Sequence, residues 1–233
     1  MWKKEFRRII TQYSNPICHL CGLSKGSKSG DLIWCQSCLL LFIAKPRCCQ
    51  CGLETLIPVA KCGACLSEPP LWERLFCVGD YKAPLSNYIH NLKYSGQLQY
   101  AYDLTYLLSK RIDNPAPLIV SMPLHWRRFL HRGYNQSDVL GHHLTTHLQG
   151  RSTFDQTLFK RIKSTPSQQG LDKQQRTKNL THAFTLNWLP NQTHIAIIDD
   201  VVTTGSSVRQ LCKLLLDVGV KKIDIYCICR TGT

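Results

Sequence analysis

From Trp72 onward, apolar residues alternate between strand-like runs and helix-like periods. WERLFCVGDY (72–81) reads as a strand, and APLSNYIHNLKYSG (83–96) as a helix stopped by a turn around Gly96. AYDLTYLLSKRI (101–112) repeats the helical period. LIVSMP (118–123) is a continuous apolar run ended by proline, the pattern of a strand buried on both faces. A helix follows over 135–148, with Asn135 as its cap, and TLFKRI (157–162) gives a short strand before a polar stretch from Lys163 to Lys178. HIAIIDD (194–200) is the strongest buried strand, Ser207 to Val218 a helix ended by Gly219, and KIDIYCIC (222–229) the closing strand. Strands alternating with helices over short connections predict an α/β domain with a mostly parallel, Rossmann-like sheet.

The first 70 residues lack such periodicity. They end at Pro69-Pro70, a boundary because proline interrupts hydrogen-bonded structure, so the expected domains are 1–70 and 71–233. Nine of the 13 cysteines lie between Cys18 and Cys65, and eight of those form four CxxC pairs. A CxxC turn presents two thiolates to one ion, and two such turns complete a tetrahedral site with no open position, which is structural rather than catalytic. Two zinc ions are expected, on Cys18, Cys21, Cys35 and Cys38 and on Cys48, Cys51, Cys62 and Cys65. This is sequential pairing, as in a double zinc ribbon; a cross-braced arrangement uses the same residues. Gly22, Gly52 and Gly63 follow knuckle cysteines, where a tight turn favours glycine. Redox CxxC pairs and buried free thiols are the competing reading. Cys49 is left over, and Cys77, Cys212, Cys227 and Cys229 sit in apolar patterns of the core.

Composition adds a polyanionic partner and removes a membrane. The 233 residues carry 29 Lys+Arg against 15 Asp+Glu, a formal net charge of +14. Two four-thiolate zinc sites, at about −2 each, lower that to about +10. No apolar run approaches the roughly 18 residues of a membrane span, and the basic N-terminus lacks the apolar stretch of a signal peptide, so a cytoplasmic protein is expected.

The sharpest chemistry lies in IAIIDDVVTTGSSV (195–208). Small residues from Thr203 through Thr204, Gly205 and Ser206 to Ser207 let backbone close around an anion at the start of a helix, where free N–H groups and hydroxyls face it. Asp199 and Asp200 stand at the carboxyl end of the strand, where ligands bind open α/β sheets, and two carboxylates can accept hydrogen bonds from a vicinal diol. A ribose 5-phosphate group offers both features. An ordinary strand, cap and helix would need neither.

This string resembles the phosphoribosyl-pyrophosphate signature of type I phosphoribosyltransferases. With the four CxxC pairs, SMPLHWRRFLHRGYNQS (121–137), SQQGLDKQQRTKNLTHAF (167–184) and the CICRTGT terminus, the chain resembles the ComF/GntX family over about Cys18 to Arg230. That is the family of competence protein F of natural transformation and its relatives outside competence. The resemblance implies a type I phosphoribosyltransferase-like domain behind a small double zinc ribbon. Asp199 and Asp200 would hold the ribose hydroxyls, Thr203 to Ser207 the 5′-phosphate, and Ser121-Met122-Pro123 the loop meeting pyrophosphate. Mg²⁺ would accompany phosphoribosyl pyrophosphate. Arg132 to Gln136 (RGYNQ) is a family hallmark without an agreed role. The 6-oxopurine enzymes carry an acidic general base at the position of Thr203, so threonine there disfavours hypoxanthine/guanine salvage.

Trp126, Arg127, Arg128, Phe129, Arg132 and Tyr134 interleave cations with rings, which suits single-stranded DNA: phosphates meet arginines and bases stack on rings. The same residues suit a loop covering pyrophosphate, or an amphipathic turn packing Trp126 and Phe129 into the core. Lys160, Arg161 and Lys163, then Lys173, Arg176 and Lys178, form a second basic stretch. His142, His143 and His147 share a helix but lack a completing ligand, which favours an ordinary helix face. Three functions remain open. The first is a ComF-type protein handling incoming single-stranded DNA with other DNA-uptake or recombination proteins. The second is an active nucleobase phosphoribosyltransferase. The third is a zinc-ribbon regulator with phosphoribosyl pyrophosphate as effector.

Overall fold

The computed structural model describes residues 17–25, 32–162 and 183–232. Its main body is a five-stranded, all-parallel sheet in the order β1-β7-β6-β2-β3, where β1 is Arg74–Asp80, β2 Leu118–Ser121, β3 Thr153–Asp155, β6 His194–Val202 and β7 Lys222–Arg230. A separate antiparallel hairpin pairs β4 (Phe159–Arg161) with β5 (Phe184–Leu186), so that Arg161 lies opposite Phe184. The polar stretch 163–178 lies outside the described residues. So do Lys163, Lys173, Arg176 and Lys178.

Seven α-helices are described, with one 3-10 turn at Leu40–Phe42. α1 (Gln36–Leu39) and α2 (Gly63–Ser67) are short turns within the cysteine-rich segments. α3 (Leu85–Tyr94), α4 (Tyr100–Ser109), α5 (Trp126–Arg132), α6 (Gln136–His147) and α7 (Ser206–Asp217) surround the sheet. Successive strand residues face opposite layers, which sorts β6 between two cores. Ile195 and Ile197 join Leu118, Val120, Ile223 and Ile225 under α7, which sends down Val208, Leu211, Cys212 and Leu215 at helical spacing. On the opposite layer α6 packs against β2 and β6, and α4 against β1, β7 and α6. Each fully buried aliphatic side chain contributes about 1.5–3 kcal/mol, which is why β6, apolar on both faces, sits at the centre. No helix among the described residues is long and apolar enough to cross a membrane.

Two expectations meet different facts. Trp126 and Phe129 do not pack into the core: they are 57% and 47% exposed on α5. The chain divides into compact units at Ala44/Lys45 rather than at Pro69-Pro70. The reason is that the second cysteine segment docks on the sheet. Leu75 N–H donates to Cys49 O at 2.9 Å, Arg47 pairs with Asp80 at 2.8 Å, and Gly52 lies against Leu75 where a Cβ would come within 2.3 Å of Leu75 Cδ2. In the first unit, Trp34 packs its ring on Phe42 at 4.6 Å.

The three histidines of α6 are helix-packing residues. His147 Nε2 bonds Tyr102 O at 2.8 Å, His143 meets Tyr102 edge-on, and His142 meets Phe154.

Candidate functional site

Both cysteine groups bring four Sγ atoms within 4.8 Å of one another, and the pairing is sequential: Cys18, Cys21, Cys35, Cys38, and Cys48, Cys51, Cys62, Cys65. A tetrahedral ion with bonds of about 2.3 Å to sulfur needs S···S edges of about 3.8 Å. The observed edges are 3.8 Å for Cys21–Cys35, 3.8 Å for Cys48–Cys65 and 3.6 Å for Cys51–Cys62. Backbone N–H groups already point at the sulfurs, from Cys35 to Cys18 at 3.3 Å and from Cys62 to Cys48 at 3.2 Å. Such donors outweigh burial at Cys18 and hold its thiol down to about 6. Gly22 and Gly52 adopt the positive φ that ends each knuckle, whereas Gly63 opens α2.

The second site is a cavity of about 700 Å³ at the carboxyl ends of β2 and β6. Asp199, Asp200, Thr203, Thr204, Gly205, Ser206 and Ser207 all line it, together with Met122. Ser121 does not: it is buried at the end of β2, where its hydroxyl bonds the Asp138 carboxylate, and Pro123 and Leu124 reach the cavity instead. The loop after β6 turns through Gly205 at φ 75° into α7, and this N-cap supplies no capping side chain. Thr204 Oγ1 and Ser206 Oγ meet at 2.8 Å, setting two hydroxyls side by side on the wall. First-turn N–H groups and hydroxyls beside one concavity are the donors that an anion cradle needs.

The two carboxylates are held by different partners. Lys93, at the end of α3, pairs with Asp200 Oδ2 at 2.5 Å, and Gln136 Nε2 donates to Asp200 Oδ1 at 3.3 Å. Ser137 Oγ donates to Asp199 Oδ1 at 3.1 Å. Burial and the neighbouring Asp200 carboxylate push Asp199 up to about 8. Asp200 is buried too, but the charge and hydrogen bond of Lys93 overcome burial and hold it below the usual carboxylate range. Two adjacent buried carboxylates titrate as one unit, in which Lys93 favours the charged form of Asp200 and burial favours the protonated form of Asp199.

The RGYNQ segment and the serine that follows it organise this end. Asn135 Oδ1 caps α6 by accepting from Ser137 N at 3.2 Å, and its Nδ2 donates to Met122 O at 3.1 Å. Met122 N in turn donates to Ile198 O at 2.9 Å. One side chain thus ties α6, the loop after β2 and the strand of the acidic pair together. Tyr134 is an anchor rather than a cavity residue, its hydroxyl donating to Leu92 O.

Of the segment read as a DNA path, Arg127, Arg128 and Arg132 line the cavity, while Trp126 does not. Arg161 joins them from β4. Burial and Arg128 lower the Arg161 guanidinium to about 10, which leaves it charged at neutral pH. His125 caps α5, its Nδ1 accepting from Arg127 N at 3.2 Å, and burial with the nearby arginines depresses its pKa and favours the neutral ring that can accept. Lys93, Arg127, Arg128, Arg132 and Arg161 set five cations against the two aspartates on the cavity wall. Sequence reasoning missed Lys93, although its place four residues after buried Ile89 puts a cation on an apolar helix face.

A phosphoribosyl transferase domain model matches residues 143–233. A parallel α/β sheet, that domain and two four-cysteine groups define a phosphoribosyltransferase-type protein with a cysteine-rich N-terminal portion. The chain is 41% identical over 192 residues to DNA utilization protein YhgH of Salmonella typhi, covering 79% of this chain and 84% of that one. The Escherichia coli K12 protein of the same name is 39% identical, covering 80% and 85%. Competence protein F of Haemophilus influenzae is 32% identical over 207 residues, covering 84% and 90%. The chain belongs to the ComF family.

Proposed function

We propose that the cavity binds phosphoribosyl pyrophosphate with Mg²⁺, that both cysteine groups hold structural zinc, and that the protein serves cytoplasmic handling of incoming single-stranded DNA. The observation that carries the ligand reading is the division of labour in one cavity. The acidic pair lies beside the cradle of Thr203 to Ser207, and four arginines share the wall. The five cations outnumber the two aspartates, so the wall is net positive. Phosphoribosyl pyrophosphate carries about −5, or about −3 with one Mg²⁺, and is of the opposite sign to that wall. Arg127, Arg128 and Arg132 belong to this ligand, as cover for the pyrophosphate.

The DNA part rests on the names of the relatives, the net charge of +14 and the outer face of α5, where Trp126, Phe129 and Leu130 are exposed. Exposed rings beside cations suit stacking of unpaired bases, with other DNA-uptake or recombination proteins as partners.

Titration calorimetry of purified protein with phosphoribosyl pyrophosphate and Mg²⁺, alongside elemental analysis, tests both halves. The expected result is one ligand and about two zinc ions per chain. Absence of ligand binding overturns the cavity reading, and absence of zinc from folded, anaerobically prepared protein overturns the metal reading. Pyrophosphate release on adding nucleobases would assign turnover.

A further inference from the structure

We propose that Arg230 and Trp72 form a strut that holds the phosphate loop on the second cysteine knuckle, so that metal in that knuckle sets the loop's fitness for an anion. The ligand half of this statement rests on the reading of the cavity given above; the mechanical half does not.

The strut has two arms. Arg230, at the end of β7 and only 6% exposed, donates through Nε to Cys51 O at 2.8 Å. Through Nη1 it donates to Val202 O at 3.2 Å, to Thr231 O at 2.6 Å and to Thr203 O. One buried guanidinium thus joins a carbonyl of a cysteine ligand to two carbonyls of the strand end and loop. A trans peptide sets its C=O and N–H on opposite sides, so fixing Thr203 O toward Arg230 turns Thr204 N–H the other way.

Trp72 supplies the second arm. Its Nε1 donates to Gln50 O at 2.7 Å, inside the knuckle between Cys48 and Cys51. Its ring closes on Gly205, where a Cβ would lie 2.8 Å from Cη2. Gly205 also holds φ 75°, so residue and neighbour both demand glycine there. Gln50, Cys51 and Trp72 are all buried.

The knuckle has only a small apolar core of its own, and contacts from Arg47, Cys49 and Gly52 to β1 tie it to the sheet. Cys48, Cys51 and Cys65 form a small cluster of their own, with Leu53, Val59 and Cys62 at its edge. A four-thiolate ion rigidifies such a segment, and its loss frees the backbone whose carbonyls Arg230 and Trp72 bond. The device makes sugar-phosphate binding responsive to oxidation or loss of metal at the second group.

The test uses the full chain, as Arg230→Met and, should that fail to fold, Trp72→Phe, which keeps a ring but loses the indole N–H. Amide hydrogen exchange is followed over 203–207, with 74–80 as the internal check of folding. Wild-type protein is then stripped of metal with an organomercurial and chelator and measured again. Each perturbation should speed loop exchange and weaken phosphoribosyl pyrophosphate binding by about tenfold, the weight of one charge-assisted hydrogen bond. Unchanged loop exchange after stripping, with 74–80 still protected, overturns the strut. If loop exchange responds while wild-type protein binds no sugar phosphate, the strut stands and the cavity reading fails.

Discussion

Asp199→Asn should make the unliganded protein more stable at alkaline pH while weakening its ligand binding. Burial and Asp200 raise the Asp199 carboxyl from 3.8 to about 8, so between those values the folded state keeps a proton that the unfolded chain releases. Stability then falls as pH rises through this window, because the native state binds more protons. At about 1.4 kcal/mol per pH unit the penalty at pH 7 has a ceiling of about 4 kcal/mol, and water at the cavity mouth reduces it to about 2 kcal/mol. Asparagine keeps Oδ1 in place to accept from Ser137 Oγ and from Asp200 N, bonds of 3.1 and 2.9 Å in the wild type. At pH 8 the variant should therefore melt about 5 °C above wild type, with the gap closing toward pH 4. Differential scanning calorimetry of both proteins from pH 4 to 9 reads this directly, and contributions from His125 and His147 cancel in the difference. A gap that is constant with pH, or that widens toward pH 4, would refute the reasoning.

Lys93→Met leaves the Asp200 carboxylate buried and unpaired, and should cost about 3 kcal/mol at pH 7 by denaturant unfolding, since removing one partner of a buried pair strands the other. A loss below 1 kcal/mol would show that water reaches Asp200. Replacing Arg127 and Arg128 together should abolish stabilisation by phosphoribosyl pyrophosphate, whereas Trp126→Ala should spare it and weaken single-strand binding by about 1–3 kcal/mol; the reverse pattern in a combined thermal-shift and DNA-anisotropy assay would exchange their roles. Gly141→Ala sets a Cβ about 2.1 Å from the Phe154 ring and should lower stability by about 1–3 kcal/mol, a loss that a second change, Phe154→Leu, should partly restore.

The legible parts of the fold were those where one periodicity decides one element. HIAIIDD became β6, two residues longer because Val201 and Val202 continue its pairing with β7, and Asn135 caps its helix as read. The strands at 153–155 and 184–186 escaped notice, since three residues carry no measurable period. α5 carries no helical signal in the sequence, because its cations and rings follow no apolar stripe and none of its residues is buried. Pro69-Pro70 marks a real break in local structure, yet the unit boundary lies elsewhere. What decides it is the fit of residues 47–52 onto β1 and β7, which has no local signature. In the site, the contiguous string from Asp199 to Ser207 was readable as a unit. Lys93 and Arg161 were not placed there, because each joins it across more than thirty residues of chain. The RGYNQ segment was visible but mute, its meaning residing in the hydrogen bonds from Asn135 to Met122 and from Gln136 to Asp200.

The hydrogen-bonded chain from Ile198 through Met122 to Asn135 has a consequence for which sugars the cavity admits. Acceptors braced on a strand, a loop and a helix at once cannot slide together to close a gap. On the proposed reading, a ribose that lacks one hydroxyl forfeits a hydrogen bond to a carboxylate, and the braced frame cannot shift to recover it. If the pair holds the ribose hydroxyls as proposed, the same stiffness disfavours 2-deoxyribose. On that reading, the proposed DNA contact would grip phosphates and bases, on surfaces such as the outer face of α5, with the sugars left unread.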